Sequence, residues 1–410
     1  MIRKKIFILS LLVSVDAAAN SLEVLHWWTS QGEREAQQIL EQSIEKKNIQ
    51  WNDFAIIGEG GDSAMRVLQM RALSGNPPDA AQIKGPDIGE WAKVGMLEPV
   101  DNIVDVTSWQ YILPPVVQET VSFDGHYMAV PINIHRVNWL WLNNKIFKKL
   151  KLPIPTTWEQ FYIIADEIKA AGYLPLAHGR TPWQDALLFE SMALSMLGAQ
   201  KYKQAFVEHD ETIINSDDMI AVFENFKRLY AYTDKSMIGK DWFSASQLIA
   251  TDKAAMQFMG DWAKGMWSAM GKVAMQDYLC VAVPESEGLY SYNIDSFVFF
   301  EKFNFQATQY VQFILAHTLL SRQFQRQFSL SKGSIPVRND INISEFDACS
   351  QRSYKDFNHD QLVPSFTQKL ATTSQLQSIM TEIISNYFND PDADAAKTVE
   401  QLSLAIRAIN

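Results

Sequence analysis

Residues 21–45 read SLEVLHWWTSQGEREAQQILEQSIE, and their pattern changes once, near Thr29. Up to Trp28 the run has strand character. Beyond a polar turn, Ala36, Leu40 and Ile44 recur at the spacing of one helix face. The same pairing then repeats. WNDFAIIG (51–58) reads as a strand, and GEGGDSAMRVLQMRALSG (58–75) as a glycine turn, an Asp62/Ser63 cap and a helix ended by Gly75. PPDAAQIKG (77–85) is a further strand and PDIGEWAKVG (86–95) a short helix. Strands and helices alternating at short spacing predict an α/β protein built from parallel βαβ units.

Further along, YMAVPINIHRVNWLWLN (127–143) has strand character over more residues than one strand needs. TTWEQFYIIADEIKAAG (156–172) is a helix with a threonine cap and a terminal glycine. The stretch from Pro182 to about Trp267 reads as mostly helical, Asp252–Met256 included. YLCVAVPE (278–285) and IDSFVFF (294–300) form a second strand pair, and helices follow to the C-terminus. No stretch rich in Pro, Gly or Ser separates domains, which fits two lobes joined by several crossing segments.

The chain opens with MIRKK, the apolar run IFILSLLVSV and small residues in DAAAN. This is the pattern of a secretory signal peptide, residues 1–19, cleaved near Ala19, with an apolar run too short to span a bilayer. The whole chain carries −11; residues 1–19 hold Arg3, Lys4 and Lys5 against Asp16, so the exported part is near −13. An acidic chain without a basic stripe is a poor partner for nucleic acid. Cys280 and Cys349, the two cysteines of an exported chain, suggest one disulfide.

Enzyme motifs are missing. There is no His-Glu-x-x-His, no Cys-x-x-Cys and no Gly-x-Ser-x-Gly, and GEGGDSAM lacks the Lys-Ser/Thr of a phosphate loop. No cofactor or metal set emerges, and His26, within a strand, reads as a core residue. A pair of acids working as in a glycosidase stays open as the rival reading. Polar residues do gather beside aromatic ones in segments that follow strands: Trp27, Trp28 and Glu33; Gln82 and Lys84; Trp262; Asp295; and Lys332. In open α/β sheets ligands bind beyond the carboxyl ends of strands. Flat rings for C–H faces and charged groups for hydroxyls are what a sugar needs.

LEVLHWWTSQGERE (22–35), GGDSAM (60–65), SGNPPDAAQIKGPDIGEW (74–91), VPINIHRVNWLWLN (130–143), FMGDWAKG (258–265), DSF (295–297) and KGSIPVR (332–338) together resemble the bacterial periplasmic glucose/mannose-binding proteins, within family 1 of the extracellular solute-binding proteins. The resemblance spans nearly all of the exported chain. It implies a periplasmic-binding-protein fold whose lobes, 20–132 with 286–333 and 133–285 with 334–410, close on one monosaccharide. It implies a non-enzymatic monomer that serves an inner-membrane ABC permease, and such proteins can also serve a chemoreceptor. By the same resemblance Trp27, Trp28, Glu33, Gln82, Lys84, Trp262, Asp295 and Lys332 line the sugar site. One position departs: VPSFTQKLA (363–371) places Gln368 where the family carries a histidine.

Overall fold

The computed structural model describes residues 20–57, 61–301 and 305–409. The expected signal peptide and its cleavage point lie outside them. Strands β1 (Ser21–His26), β2 (Gln50–Ala55) and β3 (Ala80–Gln82) come first, and a small hairpin, β4 (Ser122–Phe123) and β5 (His126–Tyr127), follows. Next come β6 (Ala129–Arg136), β7 (Trp139–Asn143), β8 (Leu174–Leu176), β9 (Ala254–Phe258) and β10 (Tyr278–Ala282). β11 (Leu289–Phe299), β12 (Ile335–Pro336) and β13 (Gln361–Pro364) complete the set.

The first sheet runs β12-β6-β11-β3-β1-β2, with β13 beside β11. β1 pairs in parallel with β2 and β3, as the βαβ pattern predicts, while β11 is antiparallel to both β3 and β6. Helices cover both faces. Ala36, Leu40 and Ile44 of the helix Gln31–Glu45 pack on one face with Leu22, Val24 and Phe328. Ala64 and Leu68 of the helix Asp62–Leu73 pack on the other with Leu25, Ala81 and Val298. Such two-sided burial is what parallel strands require.

The second sheet, β10-β7-β9-β8, has its own core. It packs against the helices Trp158–Ala170, Pro182–Phe206, Asp217–Arg228, Ser374–Asn389 and Ala395–Ile409. The long strand-like run 127–143 resolves here into two strands. The chain leaves the first sheet at Arg136 and enters the second at Trp139. Asp252–Met256 is not helical: a turn leads into β9, whose AAMQF is buried on both faces and so shows no alternation. The helix expected to start from an Asp62/Ser63 cap instead follows Gly61, and no side chain caps it.

Where the chain passes between sheets, buried polar groups tie its strands together. Arg136 Nη1 lies 2.5 Å from Asp356 Oδ2, and Asn138 Nδ2 donates to the Leu289 carbonyl at 2.9 Å. Glu190 accepts from Ser291 Oγ at 2.6 Å, Ser365 Oγ at 2.8 Å and Thr367 N at 3.0 Å. Cys280 of β10 is bonded to Cys349 of the helix Ala348–His359, whose Phe357 packs in the first core. Among the described residues no helix is long and apolar enough to cross a membrane.

Candidate ligand-binding cleft

Between the two sheets lies a cavity of about 520 Å³. Its floor starts where β1 ends. His26, buried in the strand, is a satisfied core residue: its Nε2 pairs with Asp53 Oδ1 at 2.7 Å, while Nδ1 accepts from Trp28 N at 3.2 Å. Trp28 turns toward the first core, against Phe297 and Phe328, and only 2% of it stays exposed. Trp27 keeps its ring on the cavity side with Lys84 Nζ 5.3 Å above it, and both indoles reach the lining. The adjacent tryptophans thus divide along the two faces of the strand end.

Glu33 does two jobs. Its Oε2 accepts from Thr29 N at 3.2 Å and Ser30 N at 3.1 Å, closing the capping box that starts the helix. Its Oε1 meets Lys332 Nζ at 2.8 Å. Burial alone would raise the Glu33 pKa, but the charge and hydrogen bond of Lys332, with Ser30, hold it below the usual range. Lys332 is the last residue of the helix Arg322–Lys332, stopped by Gly333 at φ +89°. A Cβ at Gly333 would stand 2.4 Å from the Asp261 carbonyl, so the turn needs glycine on both counts.

Lys84 follows β3 and is 4% exposed. Its Nζ donates to Gln368 Oε1 at 3.3 Å and lies 3.9 Å from Asp295 Oδ1. Burial pushes its pKa down to about 8, against the opposing pull of Asp295. Asp295 sits on β11 where the register with β6 shifts between Asp295 and Ser296. Such a bulge re-aims side chains. Its Oδ1 accepts from Gln82 Nε2 at 3.1 Å and Asn293 Nδ2 at 3.2 Å, and its Oδ2 faces His135 Nε2 at 3.4 Å. Burial would raise this carboxyl, yet the His135 hydrogen bond and the Lys84 charge hold it far below the carboxylate range.

His135 stands between two carboxylates, Asp295 and Asp261, the latter bound to its Nδ1. Burial disfavours the imidazolium, but Asp261 foremost and Asp295 outweigh it and raise the pKa. The ring also meets Trp262 edge-on at 5.4 Å. Trp262 is 7% exposed and opens the helix Trp262–Ala269. Its indole lies against Gly260, where a Cβ would come within 2.2 Å of the ring.

The cavity therefore gathers Trp27, Trp28, Glu33, Lys84, Trp262, Asp295, Lys332 and Gln368 from segments up to 341 positions apart. Gln82 is different. It is fully buried behind Asp295 and does not line the cavity, so it positions the carboxylate. The sequence reading missed His135 and Asn293 in the lining, and with them an aromatic wall that includes Trp183, Trp242 and Phe243. Asn293 lies two positions before Asp295 on the same strand, hence on the same face, which was a legible signal. Its Nδ2 donates to the Asp295 carboxylate, which sets its amide orientation and leaves Oδ1 buried without a hydrogen-bond partner. Cations (Lys84, Lys332) and anions (Glu33, Asp295) alternate beside flat rings. No group of three His, Cys, Asp or Glu among the described residues is arranged to hold a metal.

Known proteins agree with this architecture. The family described as bacterial extracellular solute-binding protein matches residues 29–284. A probable sugar-binding periplasmic protein of Rhizobium meliloti (strain 1021) is 36% identical over 404 residues, covering 98% of this chain and 97% of that one. Among solved structures, a chitin oligosaccharide binding protein superposes with a TM-score of 0.82 at 16% identity, covering 95% of this chain and 99% of its own. The bacterial solute receptor AcbH, described as having an exclusive substrate preference for b-D-galactopyranose, superposes with a TM-score of 0.80 at 16% identity, covering 95% of this chain and 99% of its own. At those identities the structures speak for the fold. Matched by the family over more than half its length and by a relative over nearly all of it, this chain belongs to the bacterial extracellular solute-binding proteins.

Proposed function

We propose that this protein captures a hexose, glucose or mannose, in the cleft and delivers it to an inner-membrane ABC permease. One observation carries the sugar reading: within one buried site, the rings of Trp27 and Trp262 adjoin two cationic donors, Lys84 and Lys332. The relative named a probable sugar-binding periplasmic protein supports the same class and a periplasmic location after export. The lobes that close on the sugar are the bodies around the two sheets; β6 stays in the first sheet to Arg136, and β12 and β13 lie there too, so the bounds differ from the expected 132/133 and 333/334 and the hinges fall at 136–139, at 282–289 and after 364. Sugar stabilises the closed arrangement. The protein acts as a monomer, and a chemoreceptor is a second partner of the closed form.

Around Lys84 and Lys332, binding is favoured over glycoside cleavage on chemical grounds. A glycosidase needs a carboxylic acid with a raised pKa to protonate the leaving oxygen. Glu33 and Asp295, the acids beside the cleft cations, are both held ionised. Calorimetric titration of the exported chain with a panel of sugars tests the reading. Heat that saturates at one sugar per chain is expected with glucose or mannose. No heat with any mono- or disaccharide would overturn it, and release of reducing sugar from an oligosaccharide would favour the glycosidase.

A further inference from the structure

Glu190 is the single acid in the apolar run ALLFESMALSML (186–197) of the helix Pro182–Phe206. It is 1% exposed and does not line the cleft. A carboxylate buried this deeply is costly unless its lone pairs are met. Hydroxyls and one amide meet them, with no cation among them: Ser291 Oγ on Oε1, and Ser365 Oγ, Thr367 N and Thr367 Oγ1 on Oε2.

These donors belong to the segments that cross between the sheets. Ser291 lies on β11 just past the crossing at 282–289, and its backbone also meets the first crossing. Its N donates to Asn138 Oδ1 at 3.0 Å, and its carbonyl accepts from Val137 N at 2.9 Å. Ser365 and Thr367 follow β13 at the third crossing. One side chain of the second lobe thus gathers all three.

The third crossing also carries a residue of the cleft. Ser365 Oγ, which donates to Glu190, accepts from Gln368 N at 3.1 Å, and Leu370 N donates to the Ser365 carbonyl at 2.9 Å, closing a turn over 365–370. The other side of that turn meets the first lobe. Gln368 Oε1 accepts from Lys84 Nζ, Lys369 Nζ pairs with Asp62, and a Cβ at Gly85 would stand 2.2 Å from the Lys369 carbonyl. Lys369 has φ +62°, a conformation that persists in a residue other than glycine only where the surroundings impose it.

We propose that Glu190 is a positioning residue for sugar binding: its carboxylate anchors the 365–370 turn in the second lobe and so sets Gln368 against Lys84 across the cleft. A hydrogen-bonding side chain on a turn is only as well placed as the contacts that hold its backbone. This rests on the sugar reading of the cleft.

The test is calorimetric titration of the exported full-length chain with glucose, mannose, galactose, maltose and cellobiose, followed by the variants with whichever binds wild type most tightly. Glu190→Ala and Ser365→Ala should each weaken binding about ten-fold or more, the worth of one well-made polar contact to a charged group. Glu190→Gln, whose amide oxygen still accepts from Thr367 N, should stay within about three-fold of wild type. On a Gln368→Ala background, Ser365→Ala should cost no more than about two-fold further, because the two act through one contact. Circular dichroism and melting report the folding of each variant, and Ser365→Ala decides alone if Glu190→Ala does not fold. A folded Ser365→Ala that binds like wild type, or that loses the same factor with and without Gln368, would overturn the positioning role and leave the sugar reading intact. So would a Glu190→Gln that binds no better than a folded Glu190→Ala. No binding of any of the sugars by wild type would overturn both readings.

Discussion

Replacing Lys84 with methionine is expected to stabilise the empty protein and cripple binding together. The side chain is 4% exposed, and burial lowers its pKa from 10.5 to about 8, even with Asp295 pulling the other way. That fall corresponds to about 3 kcal/mol by which the folded state disfavours the charged lysine at neutral pH. Methionine has nearly the same length and no charge. Asp295 would keep His135, Gln82 and Asn293 as partners, so no carboxylate is stranded. The unfolding free energy of Lys84→Met at pH 7 should rise by up to about 3 kcal/mol, read from the urea midpoint at constant slope. Sugar affinity should fall roughly 10- to 100-fold, the worth of a charge-assisted hydrogen bond of about 1.5–3 kcal/mol. The pH dependence gives a sharper check. The folded pKa lies below the unfolded one, so between pH 8 and 10.5 the unfolded chain holds a proton that the folded protein has lost. Wild-type stability from this group therefore rises with pH across that window, and the advantage of the variant should shrink toward zero. A variant less stable than wild type at pH 7, or an advantage that persists unchanged to pH 10.5, would refute the reasoning.

Glu33→Ala should cost about 3–5 kcal/mol of stability, because it strands the buried Lys332 ammonium and opens the capping box; Lys332→Met on the same background should recover part of the loss in urea titrations. Asn293→Leu removes a hydrogen bond to the buried Asp295 carboxylate and should cost about 1.5–3 kcal/mol of stability in urea titrations; an unchanged midpoint would mean that Asn293 does not hold Asp295. Gln368→His puts an imidazole beside the Lys84 ammonium, so its charged form is disfavoured and its affinity should drop below about pH 6 relative to wild type. Parallel pH profiles for the two forms would mean that residue 368 does not sense the ligand. Thiol titration of the unfolded, unreduced exported chain should find no free thiol, and Cys280→Ser with Cys349→Ser should cost about 4 kcal/mol for the 69-residue loop.

The local pattern of the chain determined its α/β class, the first three strands and the helices packed on them. Each of those elements announces its buried face by its own period, and Ser30 with Glu33 marks a helix start without help from elsewhere. Resemblance across scattered motifs named eight residues that now border one cavity. Local pattern could not separate β6 from β7 within 127–143, nor find β9 in Asp252–Met256, because strands buried on both faces carry no alternation to read. Gln82 and Asp295 are 213 positions apart, and only the pairing of β3 with β11 brings them into contact. His135 shows the same limit most clearly. In the sequence it is one of seven histidines; its charge is set by Asp261 and Asp295, which only the packing of two sheets brings to opposite sides of one ring. Periodicity is a property of neighbours along the chain and survives in one dimension. The field around a buried group comes from atoms distant in sequence, and exists only once the chain has folded.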